Sequence, residues 1–403
     1  MPAKPLEFFF KKDNIAGLIY GFCVFLLCMP YFMWETGKFK MYIFIIIGVI
    51  SFSYLKRIKR YVIVLIFLFT YLFLYSASDQ NAFGLFFKLL LISFVIVRED
   101  ILLRSFYWFK KIFTFSLILS LIVYLLIVFF FIQIDYNTIA PLNSLKSYNY
   151  AQYPFLVSTS PLGFNLFSFR FFGMFDESGF IGSFAAMFLF VDKFNLKNKQ
   201  NIIIFIAGIL SFSLYFIITS AVYFLLATTN RIRIVFAAIL LMLSLLTVNN
   251  DIIKTLVWDR LVIENGELIG DNRTSKSLDQ IYTTFVSSGD LFWGKGLGFL
   301  SKYGEVGNSS YKELIISFGI VFFALFSFTF IFFAYNVIKS PKYILFYLFI
   351  FFSMVYQRPF IFDPAYFFMF VSLLYAYKQV VINESYAMPQ NIQLQKNKLL
   401  VNS

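Results

Sequence analysis

The chain has 403 residues, of which 60% are hydrophobic and only 14% charged, with a mean hydropathy of +0.78. That balance excludes an ordinary soluble enzyme, which is roughly half apolar and about one-quarter charged, and predicts an integral membrane protein with no separate soluble domain beyond one large loop. A formal net charge of +13 would suggest nucleic acid in a soluble chain, but here the basic residues cluster between apolar runs, so the charge reads as orientation in a bilayer and no nucleic-acid partner is expected.

Histidine is absent. This removes every His-based triad and every His metal site, and the expectation is neither cofactor nor metal. Acid–base chemistry falls to carboxylates, Lys or Tyr, and charge stabilisation to Arg, Lys or backbone N–H.

Apolar runs lie near 15–34, 41–55, 61–77, 82–97, 112–134, 171–191, 202–229, 234–248, 311–337, 343–357 and 362–379. Lys4, Lys11 and Lys12 precede a first run of spanning length with no small-residue cleavage site after it, which predicts a retained helix. Cys23 and Cys28 both fall in that run and are not spaced as a redox or metal pair. The run 202–229 is long for one span. It reads either as one tilted helix or as two short helices broken near Thr219-Ser220.

Charge decides between these. Basic clusters fall at Lys4/Lys11/Lys12, Lys56-Arg57/Lys59-Arg60, Arg98/Arg104/Lys110-Lys111, Lys193/Lys197/Lys199, Arg231/Arg233, Lys339/Lys342 and Lys378/Lys396/Lys398. All lie on one side only if 202–229 crosses twice. The expectation is therefore an all-α polytopic membrane protein, one transmembrane domain over 1–403, with about twelve crossings and both termini cytoplasmic. Two large loops then face outward, roughly 135–170 and 249–310, and 383–403 forms a polar, disordered cytoplasmic tail.

Two polar constellations break the apolar pattern. The first is Arg170-Phe-Phe-Gly-Met-Phe-Asp-Glu-Ser-Gly at 170–179, at the mouth of a membrane segment. Intramembrane charge is costly and usually functional. If the segment is helical, Arg170, Gly173, Asp176 or Glu177, and Phe180 share a face. One reading is a salt bridge that stabilises the bundle. The other is an Arg that binds an anion beside a carboxylate base, Glu177 or Asp176, since the guanidinium fork suits phosphate.

The second constellation runs from Arg273 to Glu313. An amphipathic helix is predicted near 275–287, with Leu278, Ile281, Tyr282 and Phe285 at helical spacing, lying on the membrane surface or capping a cavity. Gly294-Lys295-Gly296-Leu297-Gly298 follows. It is no dinucleotide fingerprint, because no strand precedes it; it is either a flexible turn or a place where backbone approaches a phosphate or sugar. Asn308 and Tyr311 precede the next span, and Asn308 doubles as a candidate N-cap. Candidate substrate-binding residues are Arg260, Lys295, Asn308, Tyr311 and Arg358; for Arg358, at an outer turn, anchoring is the simpler role. Lys88 lies within the fourth run, lining a cavity or pairing with an acid.

Taken in order, R-x-x-G-x-x-x-E at 170–177, then Arg273 with an amphipathic helix and G-x-G-x-G, then Asn308-x-x-Tyr311 before a helix carrying Phe318-Gly319-Ile320, these motifs resemble the Wzy-type O-antigen (polysaccharide repeat unit) polymerases, of the wider O-antigen ligase and polymerase family. The resemblance implies a membrane-embedded glycosyltransferase of the bacterial inner membrane. Such an enzyme transfers a growing glycan from undecaprenyl pyrophosphate onto a lipid-linked repeat unit at the periplasmic face, without metal and with inversion. It implies that Arg170 and Arg273 bind the pyrophosphate, that Glu177 is the motif acid, and that a chain-length regulator is a partner. Where the related ligases place a His before the late helix, this chain has Asn308, which favours polymerase over ligase. A lipid-linked oligosaccharide flippase is the rival from another class, although no internal repeat is evident. A non-catalytic membrane protein is the third reading.

Overall fold

The structure is a computed structural model describing residues 12–34, 39–55, 91–128, 130–142, 148–153, 159–162, 170–227, 263–264, 267–268, 276–296, 299–303, 311–358 and 361–401. It is mostly helical. Helices α1 (Lys12–Leu27), α2 (Phe39–Ser53), α3 (Ser93–Ile96) and α4 (Glu99–Val128) precede a small antiparallel sheet of β1 (Asn137–Ile139), β2 (Tyr150–Gln152) and β3 (Thr159–Pro161). Then come α5 (Ser178–Val191), α6 (Lys199–Leu210) and α7 (Leu214–Ala227), a two-stranded ribbon of β4 (Ile263–Glu264) and β5 (Glu267–Leu268), and α8 (Lys276–Val286). The chain closes with α9 (Tyr311–Ile338), α10 (Pro341–Gln357) and α11 (Pro364–Val401).

Among the described residues three helices are long and apolar enough to cross a membrane: Glu99–Val128, Tyr311–Ile338 and Pro364–Ser385. Shorter apolar helices include Phe39–Ser53, Ser178–Val191, Lys199–Leu210 and Leu214–Leu225. The core is a continuous aromatic and aliphatic cluster in which Phe109, Phe113, Phe184, Phe188 and Phe368 interlock edge to face and tilted. Many large apolar side chains, among them Phe52, Phe115, Phe328 and Leu345, face outward. Helices α1 and α4 cross closely because Gly17 and Gly21 offer bare backbone: a Cβ at Gly17 would stand 2.6 Å from the Arg104 Cβ.

The bundle has two chemically distinct ends. At one, Arg98 reaches Asp13 at 3.3 Å, Arg104 reaches Asn14 at 2.5 Å, Lys378 reaches Glu99 at 2.6 Å, Tyr343 reaches Glu384 at 2.7 Å, and Lys193 also pairs with Glu384. At the other gather Trp34, Tyr150, Arg170, Glu177 and Arg358.

Four expectations are corrected. The run 202–229 is a helical hairpin, but it breaks at Ser211–Ser213, and Thr219 and Ser220 lie inside α7. Thr219 donates back to the Tyr215 carbonyl at 2.6 Å, which keeps a β-branched hydroxyl residue within the helix. The segment 170–177 is not helical. Gly173 takes a positive φ of 55° and α5 starts only at Ser178, so helical spacing does not relate Arg170 to Glu177. Lys110 is not a loop cation: α4 begins at Glu99, and Lys110 is buried on it, donating to Asn201 at 2.6 Å and paired with Asp192. The tail continues α11 as helix through Val401.

Candidate functional site

The segment from Arg170 to Glu177 is an irregular turn held by four hydrogen bonds to three separate elements. The Phe171 N–H donates to the Leu210 carbonyl at 2.9 Å and the Arg170 Nε to the Ser211 carbonyl at 3.3 Å. Both acceptors belong to the C-terminal end of α6, where free carbonyls and the helix dipole favour a cation. The Tyr31 N–H donates to the Met174 carbonyl at 2.8 Å. The Tyr150 hydroxyl donates to the Asp176 carbonyl at 2.5 Å. Tyr150 is fully buried on β2, against Trp34, Tyr148 and Phe172, so the small sheet acts as a clamp on the turn.

At the end of this turn Glu177 is the N-cap residue of α5, in extended conformation, but its side chain makes no capping bond. It pairs instead with Arg358, Nη1 to Oε2, at 2.5 Å. The Arg358 side chain is only 7% exposed, whereas that of Glu177 is 40% exposed. The guanidinium packs on Gly179, where any Cβ would collide with Nη2. Burial by itself would lower the Arg358 pKa, but Glu177 and Tyr366 beside it raise it, so the cation stays charged. Burial also pushes the Tyr148 and Tyr150 hydroxyls up, with Asp176 adding to both. Both therefore act as donors, not bases.

Arg170, Asp176, Glu177 and Arg358 thus meet at one end of the bundle. Tyr148, half-buried, lies within electrostatic reach of Arg170, Asp176 and Glu177. Tyr311 joins them indirectly: its ring stacks on Tyr356 at 5.5 Å and 20°, two residues before Arg358. Tyr282 stands edge-on to Tyr311 at 6.4 Å, and Lys312 reaches Asp279 at 2.7 Å.

Lys295 is placed differently from its expected role. Its Nζ pairs with Asp290 and lies over Phe299. The Lys295 and Gly296 N–H groups donate to the Ile316 and Ser317 carbonyls at 2.7 and 3.0 Å, and the Val321 N–H donates to Phe292 at 3.3 Å. The backbone approach anticipated at this glycine-rich loop is therefore made to α9. That helix is broken at Gly319 (φ 79°, ψ 168°), and the loop supplies partners to the carbonyls the break leaves over. Helix α8 packs Leu278 and Phe285 on Ile315 and Ile316 of α9, so it docks on that helix end. Arg273, Arg260, Asn308 and Lys88 lie outside the described residues.

Tyr148, Tyr150 and Tyr366 escaped the sequence reading. No local signal marks them, because their partners are remote in the chain. The chemistry available here is anion binding by a buried, permanently charged Arg358, with Arg170 near and a carboxylate in contact. No protein-family model, curated protein or solved structure matches this chain.

Proposed function

We propose that the chain is a membrane-embedded polysaccharide polymerase of the Wzy type, acting on undecaprenyl-pyrophosphate-linked oligosaccharide. The observation that carries this reading is the buried Arg358 paired with the more open Glu177 at one end of an apolar bundle, with Arg170 and Asp176 on the same turn as Glu177. The proposed topology is about twelve crossings in the bacterial inner membrane, with the basic end of the bundle cytoplasmic and the site periplasmic.

In the proposed reaction an acceptor hydroxyl oxygen bonds to the donor's anomeric carbon. The bond from that carbon to the pyrophosphate oxygen breaks, and its electron pair leaves with the pyrophosphate. Glu177 takes the hydroxyl proton. Arg170, Arg273 and Arg358 stabilise the charge that develops on the leaving group, and a low-dielectric surround strengthens that effect.

One observation favours a transporter as second reading: α9 is a broken helix, a device transporters use at substrate sites. A polysaccharide ladder from a deletion strain separates the two. With wild-type complementation the polymerase reading expects a full ladder, and with Arg170→Ala at normal membrane level it expects single-repeat material. Loss of all repeat-unit material in the deletion strain would favour the flippase or ligase. An unchanged ladder in the deletion strain would remove all three.

A further inference from the structure

We infer that Glu177 is an internal stand-in for a substrate phosphate, occupying the Arg358 guanidinium until an incoming pyrophosphate displaces it. This rests on the polymerase reading only for the identity of the anion. The guanidinium is almost wholly enclosed, and the carboxylate that contacts it is the more open of the two groups, at 40% against 7% exposed. Glu177 therefore covers Arg358 from the accessible side. The carboxylate sits at the N-cap of α5 without capping that helix. Its backbone is extended and unstrained, at φ −139° and ψ 128°, so a rotamer change can move the carboxylate without moving the main chain.

An anion that took the place of the carboxylate would meet Arg358 and, through the contact with Gly179, the first turn of α5. The positive end of that helix dipole adds to the attraction. A doubly bridged pyrophosphate competes well against a single carboxylate for a guanidinium fork. Displacement has a catalytic consequence. A carboxylate held against Arg358 is a poor base, because the cation stabilises its charged form. Once displaced, it regains basicity at the moment the donor is seated. Binding the leaving group would thus arm the base, and proton transfer would wait for the donor.

The test uses the full chain in lipid nanodiscs, titrated with inorganic pyrophosphate by calorimetry. The Glu177→Gln variant is expected to bind at least ~10-fold more tightly than wild type, because the internal competitor is gone. Glu177→Asp, one methylene shorter and still charged, is expected to fall between them, and it carries the test if the Gln variant does not fold. The gain is expected to vanish in Glu177→Gln/Arg358→Gln. Equal affinity in wild type and both single variants would overturn the inference, as would a gain that survives removal of Arg358. A purely structural ion pair would lower stability without tightening pyrophosphate binding. Tighter binding in a protein whose deletion leaves the polysaccharide ladder unchanged would keep the anion seat and remove the polymerase reading. Equal affinities with a ladder that depends on the protein would do the reverse.

Discussion

At the residue scale, the polar groups at the outer turn are positioned by neighbours that no local spacing relates. Arg170 was legible as a candidate because a cation stands beside a membrane segment, yet its contact with the Ser211 carbonyl adds a second role as a cap on α6. The two roles separate by substitution. Arg170→Ala is expected to lose about 2–4 kcal/mol of transition-state stabilisation, the size measured for one oxyanion donor, seen as a drop of tens- to hundreds-fold or more in polymerisation rate. Arg170→Lys keeps the charge but loses the Nε geometry and should recover only part of the rate. Gly173, at φ 55°, should lose about 1–2 kcal/mol of stability as Ala, and less as Asn, in denaturant titrations in mixed micelles. Gly179→Ala is expected to shift the Arg358 guanidinium and shorten the polymer while leaving membrane level unchanged on an immunoblot. Neither Arg358 nor Gly179 announces its partner in the chain, because the contact between them exists only after α5 and the turn beyond α10 pack together.

At the scale of elements, a buried ion pair and a broken helix set the tests. Lys110 and Asp192 bind α4 to the end of α5, and Asn201 brings in α6. Removing one member of a buried pair strands the other charge, at about 3–5 kcal/mol, less here because Asp192 is 22% exposed. Lys110→Met should therefore melt well below wild type in detergent, and Lys110→Met/Asp192→Asn should recover much of the loss; additive losses would sink this account. The break in α9 is held by the loop at 292–296. Gly319→Ala places a Cβ against the backbone of Phe292 and Trp293 at a φ that L-residues avoid. The loop is expected to detach, and limited proteolysis should cut within 289–303 faster than in wild type. The amphipathic α8 was read from period alone, within one residue at each end, because its Leu278 and Phe285 recur at helical spacing. Its docking partner was not, since an apolar face reads alike for lipid and for protein.

At the scale of the whole molecule, Arg98, Lys193 and Lys378, drawn from three of the basic clusters, gather at one end of the bundle, each paired with an acid: Asp13, Glu384 and Glu99. The proposed orientation makes a direct prediction. In a Cys23→Ser/Cys28→Ser background, Asp13→Cys and Lys193→Cys should resist a membrane-impermeant maleimide on intact spheroplasts and react after lysis. Tyr148→Cys and Trp293→Cys should react on intact spheroplasts. Labelling of all four from outside would overturn the orientation.

The sequence by itself determined that the chain is mostly helical and carries segments long and apolar enough to cross a membrane. It also located several of the described helices, such as Tyr311–Ile338 and Pro341–Gln357, and showed that positive charge and rare polar groups are concentrated in a few places. Those properties depend on composition and short-range periodicity, which survive without any tertiary contact. It also singled out Arg170, Asp176 and Glu177, because charge beside an apolar segment stands out locally. Only the tertiary structure decided that Glu177 pairs with Arg358, that Tyr150 clamps the turn, that the glycine-rich loop laces the break at Gly319, and that 202–229 turns at Ser211–Ser213. Each of these joins residues far apart in the chain or replaces a helix with an irregular turn. Their energies come from packing and hydrogen bonds between elements, and no window of sequence contains both partners.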